Sequence, residues 1–268
     1  MIDHDHDYPH ANTRFLDGVE KWIGVLGQLR DVVRQQVLAA QLADVLDERN
    51  LRQARVLDVG CGQGTQALLL ARAGHVITGL DISTDLLSRF ESALSLEPAQ
   101  IRARVRLVRG AGETAPDIAA GPYDVILCHG VLPYLDELTP MLSALSEVAA
   151  QPGILSLLVR NGHAMAMRDG LQGNWGDALA AFKSREYVNR LGLAARAHTP
   201  DELDDILGTQ GWRRVGWYGV RVFTDHRYDE ALPPTDELSW LLAAEQEAGR
   251  RDPYRQVAAL LHLVYEHS

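Results

Sequence analysis

The run Val56-Leu57-Asp58-Val59-Gly60-Cys61-Gly62-Gln63-Gly64 passes from valine-rich apolar residues straight into three closely spaced glycines. An apolar run of this length ending in turn residues reads as a buried β-strand. The glycines allow a tight turn and close approach of a ligand to the backbone, and the next helix offers unpaired N–H groups there. The spacing is GxGxG, so the third glycine comes one residue earlier than in the dinucleotide pattern GxGxxG.

Working outward, residues 64–73 read as a helix and 75–80 as a second strand. A helix over 84–96, a third strand over 104–109 and a fourth over 123–130 follow. A helix over 136–149 leads through the turn Gln151-Pro152-Gly153 into a fifth strand, 154–160. Upstream, Leu29, Val33, Val37, Ala40, Leu42, Val45 and Leu46 recur at helical spacing and predict an amphipathic helix covering the sheet. Strands alternating with helices at this pitch specify a parallel, doubly wound sheet.

Beyond Arg160 the alternation stops. Residues 161–198 carry no strand pattern and read as a helical insertion above the carboxyl edge of the sheet. Thr199-Pro200-Asp201-Glu202 then supplies an N-cap, a proline and first-turn acids for a new helix, which Gly211 follows. Residues 213–223 and 260–266 read as an antiparallel closing pair with a helix over 235–249 between them. The expected fold is α/β: a Rossmann-like, doubly wound, seven-stranded sheet, mostly parallel with the last strand antiparallel, carrying a small helical insertion. We expect one domain over 1–268, made of an N-terminal helical cap (1–50), a cofactor-binding core (54–160), the insertion (161–198) and the C-terminal part of the sheet (199–268).

Composition bounds the rest. The 268 residues are 46% hydrophobic and 23% charged, ordinary globular usage that excludes a disordered or fibrous chain. The longest apolar runs, such as 67–71 and 153–159, are far short of a membrane span. The first ten residues lack a basic segment and an apolar core, which points to the cytoplasm. Cys61 and Cys128 are neither a disulfide framework nor spaced for zinc. The alternating Asp3, His4, Asp5, His6 and Asp7 suggest a metal tract superficially, but a solvated terminus explains the same residues, and no metal is expected. A net charge of −10 argues against indiscriminate nucleic-acid binding, although 160–197 is locally basic.

Asp81, at the end of the second strand, suits a carboxylate accepting hydrogen bonds from both hydroxyls of a ribose. That requirement is shared by NAD and S-adenosylmethionine. The compact glycine turn favours the latter, since it looks like motif I of class I methyltransferases with Asp58 in its acidic position. Gly112 and Glu113 after the third strand would sit beside the adenine, and Asp124 with His129 bracket the fourth strand as in methyltransferase motif IV.

Nearly end to end, the chain resembles the CmoM-type tRNA methyltransferases, which convert 5-carboxymethoxyuridine at the wobble position to its methyl ester. The residues that carry the resemblance are GQLR at 27–30, LDVGCGQG at 57–64, GHVITGLDIS at 74–83 and ILCHGVLPYL at 126–135. LSLLVRNGHAMAM at 155–167, GNW at 173–175, GWRRVGWYGVRVFTD at 211–225 and DPYRQVAALLHLV at 252–264 extend it beyond the cofactor core. The resemblance implies that Arg30 holds the methionine carboxylate, a task suited to a planar guanidinium. It also implies that Gly60 and Cys61 line the turn, Asp81 meets the ribose, Gly112 and Glu113 the adenine region and His129 the methionyl side, with Asp58, Gly62, Gly64 and Ile82 also among the cofactor-binding residues. Read without it, Arg30 is a solvated helix charge and His129 a core histidine bonded to backbone.

The acceptor stays open between a tRNA anticodon loop and a small molecule. Arg160, Arg168, Lys183, Arg185, Arg190, Arg196, Arg221 and Arg255, with Trp175, Tyr187, Tyr218 and Tyr254, would make an RNA-gripping face or an ordinary lid with exposed arginines. A carboxylate acceptor needs only positioning, with Arg160 or Arg221 as the anion holder; a hydroxyl acceptor needs a base, for which His129, His163 and His198 are the candidates. An O-methyltransferase acting on a metabolite, lipid or glycoside hydroxyl is the main alternative. A nicotinamide-dependent oxidoreductase and a catalytically silent binding protein rank below it.

Overall fold

The computed structural model describes residues 13–227 and 231–267. The Asp/His tract at the N-terminus lies outside the described residues.

A short 3-10 turn (Arg14–Gly18) and α1 (Val19–Val25) precede α2 (Leu29–Glu48), which buries Leu29, Val33, Val37, Leu42, Val45 and Leu46, the stripe its periodicity predicts. The core then alternates: β1 (Arg55–Val59), α3 (Thr65–Ala73), β2 (Val76–Asp81), α4 (Thr84–Ser95), α5 (Ala99–Arg102), β3 (Val105–Arg109), α6 (Ala115–Ile118), β4 (Tyr123–His129), α7 (Thr139–Glu147) and β5 (Ala149–Arg160). After β5 come α8 (Met165–Leu171), α9 (Trp175–Ala181), β6 (Glu186–Val188), β7 (Ala194–Arg196), α10 (Pro200–Gly208), β8 (Trp212–Val220), α11 (Thr235–Arg250) and β9 (Leu260–His267). Thr199 caps α10 as its sequence predicts, its hydroxyl accepting from the Glu202 N–H.

Seven strands form one sheet in the order β3-β2-β1-β4-β5-β9-β8. The β1/β2, β1/β4, β2/β3 and β4/β5 pairs are parallel, and β9 runs antiparallel to both β5 and β8. This is the expected Rossmann-like sheet. Side chains alternate across β1, so Val56 packs into the core shared with α2 and α3, while Leu57 and Val59 join the opposite core under α7 and α10. The chain winds outward from β1 in one direction and from β4 in the other, which opens a crevice at their carboxyl ends where open α/β sheets take ligands.

Two expectations need correction. The turn Gln151-Pro152-Gly153 lies inside β5, because Ala149 already pairs with Tyr123 and the register shifts before Val125 meets Ile154. The insertion is not purely helical, since β6 and β7 form an antiparallel hairpin after α8 and α9. Three-residue strands at Glu186–Val188 and Ala194–Arg196 are too short to show a period. The base of the insertion is tied by an isolated bridge between Asn161 and His198.

The glycine turn separates packing from ligand access. Gly64 has φ +83°, and a Cβ there would lie 2.3 Å from the Phe90 ring of α4. Gly62 has φ +56°, but a Cβ there would meet nothing within 4 Å. We therefore expect Gly64→Ala to cost about 3 kcal/mol or more through clash and backbone strain. Gly62→Ala should cost about 1 kcal/mol from strain alone, yet still weaken cofactor binding; thermal unfolding and calorimetric titration with S-adenosylhomocysteine separate the two effects.

Candidate active site

A cavity of about 270 Å³ lies over the carboxyl ends of β1, β2, β4 and β5. Its floor is the glycine turn, held to β2 because the Gly60 and Cys61 N–H groups both donate to the Leu80 carbonyl, at 2.8 and 3.2 Å. Asp81 closes the arrangement: Oδ2 accepts from the Gly62 N–H at 2.8 Å and Oδ1 from the Ser83 N–H at 2.8 Å. Burial raises the Asp81 pKa, and those N–H donors offset part of the rise.

Asp58 sits beneath the turn, 4% exposed. Burial, reinforced by the neighbouring Asp81, pushes its pKa up to about 8. The unfolded chain would release this proton near the ordinary carboxylate value, so the stability present below pH 4 is lost as pH rises towards 8. We expect Asp58→Asn to stabilise the protein at pH 9 by a few kcal/mol, ~2–4, and the gain to vanish at acid pH; urea unfolding at both pH values checks it. The same burial raises the Cys61 thiol, with Asp58 and Asp81 adding to it.

The cavity also takes Ile82, Gly112, Glu113 and His129 into its lining, together with Arg30, Arg160 and Arg221. Gly112 is there because a Cβ would lie 2.5 Å from the Met141 sulfur and 2.6 Å from Val59. His129 ends β4, and its Nε2 is 2.8 Å from the Ser156 hydroxyl, so it bonds to a side chain and not to backbone. Burial, with His262 and Arg34 contributing, keeps its pKa well below the ordinary histidine value. His163 is exposed and outside the cavity, and His198 is buried elsewhere with Nε2 3.4 Å from the Leu132 carbonyl. Asp124 lies at the start of β4, away from the cavity, where it accepts from the Arg55 N–H at 2.7 Å.

What the sequence reading missed is Asp225, on which four of its candidate arginines converge. Arg30, far from a solvated helix charge, is 3% exposed, and its Nη2 donates to Asp225 Oδ1 at 3.2 Å. Arg160 Nη1 and Arg168 Nε donate to Asp225 Oδ2 at 3.0 and 2.8 Å, and Arg221 Nη2 lies 3.3 Å from Oδ1. Four guanidinium groups thus share one buried carboxylate. Burial alone would raise the Asp225 pKa, but the surrounding arginines, Arg221 foremost, hold it far below the usual carboxylate range. Arg221 adopts φ +60°, a left-handed conformation that a non-glycine residue keeps only where its surroundings impose it.

Three other members of the expected basic face are paired with acids. Arg185 and Arg196 pair with Glu202, and Arg255 pairs with Asp252 while stacking over Trp217 at 3.9 Å. Tyr187 and Arg190 line the cavity from the hairpin, as do Phe15, Trp22 and Tyr134 from other segments. Asn189 Nδ2 donates to the Tyr134 hydroxyl at 2.9 Å, which links the hairpin to the loop after β4.

The site suits an adenosyl amino acid: a glycine turn with open space over Gly62, an acid at the end of β2, and a buried cationic end for a carboxylate. Comparisons with known proteins agree. A family model described as a methyltransferase domain matches residues 56–153. The tRNA 5-carboxymethoxyuridine methyltransferase of Escherichia coli O157:H7 is 28% identical over 253 residues, covering 94% of this chain and 95% of that protein. A ubiquinone biosynthesis O-methyltransferase of Psychrobacter arcticus is 28% identical over 179 residues, 65% of this chain and 64% of that one. Among solved structures, magnesium protoporphyrin IX methyltransferase from Synechocystis with bound S-adenosylhomocysteine superposes with a TM-score of 0.61 at 18% identity, covering 96% of this chain and 97% of that one. A glycopeptide N-methyltransferase superposes with a TM-score of 0.54 at 14% identity, over 86% and 90% of the two chains. Among the described residues no helix is long and apolar enough to cross a membrane, and no cluster of side chains is arranged to hold a metal ion. The nicotinamide and silent-binder readings give way, and the chain is an S-adenosylmethionine-dependent methyltransferase on a Rossmann-like fold.

Proposed function

We propose that this enzyme methylates an oxygen of an anionic acceptor, the carboxylate of a modified wobble uridine in tRNA. The observation that carries this reading is the group of four arginines that converge on Asp225 in the wall of the cofactor cavity. Guanidinium groups lining a cavity suit an anionic ligand, which they can hold through charge-assisted hydrogen bonds. The 28% identity to a tRNA 5-carboxymethoxyuridine methyltransferase over almost the whole of both chains supports the same acceptor.

In this reading the adenosyl group lies across the carboxyl ends of β1 and β2. Asp81 and Ile82 meet the ribose, Gly112 and Glu113 the adenine, and the amino-acid tail passes over Gly60, Cys61, Gly62 and Gly64, above Asp58, towards Arg30 and His129. When bound, the cofactor supplies a methyl group on a sulfonium, an electrophile that needs no further activation. Arg160 and Arg221 orient the acceptor anion. A carboxylate oxygen already carries its lone pair at neutral pH, so no side chain has to remove a proton from it. Tyr134, Tyr187 and Trp22 keep water from the cavity mouth, and positioning in a desolvated site supplies the rate. Burial holds His129 neutral, as this scheme allows.

A second reading, an O-methyltransferase for a small acceptor, is favoured by the pairing of Arg185 and Arg196 with Glu202 and of Arg255 with Asp252, which offsets charge that phosphate contacts would need. Incubation with labelled cofactor and tRNA from cells lacking the modification separates the two. The tRNA reading expects label in the anticodon nucleoside and a rate that falls steeply with salt, as phosphate contacts require. Unlabelled tRNA, with turnover of a small acceptor insensitive to salt, supports the second reading.

A further inference from the structure

A chain of buried polar side chains runs behind the cavity and fixes the proton on His129. At its far end Gln41, on α2, donates through Nε2 to the Gly219 carbonyl at 3.0 Å. A carbonyl only accepts, so the amide orientation is set and Gln41 Oε1 faces the other way. That oxygen is 3.0 Å from His262 Nδ1. An amide oxygen also only accepts, so His262 carries its proton on Nδ1. Burial lowers the His262 pKa to about 3, so the ring is neutral and its Nε2 is a bare acceptor. Ser156 lies 2.8 Å from that nitrogen and must donate its hydroxyl proton to it. The Ser156 oxygen is then left to accept, and its partner at 2.8 Å is His129 Nε2. His129 is thereby held as the Nε2–H tautomer, with a lone pair on Nδ1.

His129 lines the cavity, and its Nδ1 is buried with no hydrogen-bond partner among the described residues. A buried acceptor without a donor costs free energy, and the protein has built a four-residue relay to keep it an acceptor. We propose that Gln41, His262 and Ser156 are positioning residues that hold His129, placed on the methionyl side in the reading above, in the tautomer whose Nδ1 accepts from the ammonium group of the cofactor's amino-acid tail. This rests on the placement of the cofactor tail given above and is independent of the acceptor's identity. Packing supports the relay as a built feature: a Cβ on Gly249 would lie 2.3 Å from the Gly219 carbonyl oxygen and 3.1 Å from Gln41 Nε2.

The decisive experiment is long-range nitrogen–proton correlation on the selectively labelled wild-type protein. It should show His129 with Nε2 protonated and Nδ1 bare in the free protein. Adding S-adenosylhomocysteine should shift Nδ1, whereas 5′-methylthioadenosine, which has the nucleoside but no amino-acid tail, should leave it in place. His129→Asn puts an amide oxygen near the Nδ1 position and His129→Gln places one near Nε2. We expect His129→Asn to keep S-adenosylhomocysteine affinity within about threefold and His129→Gln or Ser156→Ala to lose about tenfold. A proton on Nδ1 in the free protein, or equal Nδ1 shifts with the two nucleosides, overturns the proposal. A failure of tRNA methylation alone leaves these signals unchanged and bears only on the acceptor.

Discussion

Asp225→Ala should destabilise the protein by about 3–5 kcal/mol, because it leaves buried charge without its partner. Arg30, Arg160, Arg168 and Arg221 all reach this carboxylate within 3.3 Å, and three of the four are less than one-tenth exposed. An anion entering the cavity would offset part of their mutual repulsion. Adding phosphate or citrate should therefore recover part of the melting temperature of Asp225→Ala, and far less of the wild type. A thermal unfolding series in increasing phosphate checks both parts. If Asp225→Ala melts like the wild type in dilute Tris buffer, the arginines do not depend on this residue. The sequence offered a single acid between Thr224 and His226, with nothing in its spacing to show that four arginines from α2, β5, α8 and the end of β8 converge on it.

Asp81→Ala is expected to lower the affinity for S-adenosylhomocysteine about a hundredfold while leaving most of the fold's stability intact. The carboxylate accepts from the Gly62 and Ser83 N–H groups, so it sets the shape of the turn that the cofactor tail must cross. Two charge-assisted hydrogen bonds are lost, each worth about 1.5–3 kcal/mol, and water entering the cavity replaces part of them. In the proposed placement of the cofactor, losing an acceptor for the ribose hydroxyls adds to this. Asp81→Asn retains an oxygen for one N–H and should fall between alanine and the wild type. Calorimetric titration measures the affinities, and circular dichroism melts confirm that the variants are folded.

The core was legible because its signals are local. Val56 to Gly64 passes from a buried strand to glycines with φ of +68°, +56° and +83°, and the neighbouring strands pair with β1 and with each other in parallel register. The acid at position 81 follows from that same logic, since the end of β2 borders the turn. Long-range convergence was not legible. Arg30 precedes Asp225 by 195 residues, and Gln41 precedes His262 by 221, so only the folded sheet brings either pair together. His163, in the insertion, was one of three candidate bases for a hydroxyl acceptor, and only the fold shows that its N–H bonds to Asn161 Oδ1 while its ring stays exposed and outside the cavity. The hairpin at 186–196 was hidden because three-residue strands have too few positions to reveal alternation.

The acceptor chemistry is tested most directly by the stability of the transferred methyl group. After reaction with labelled cofactor and unmodified-ester tRNA, the isolated anticodon nucleoside is treated with mild alkali and the released label counted. A carboxylate held by Arg160 and Arg221 yields a methyl ester, so the label should leave as methanol. Label that survives the treatment as an ether or N-methyl group would contradict the account.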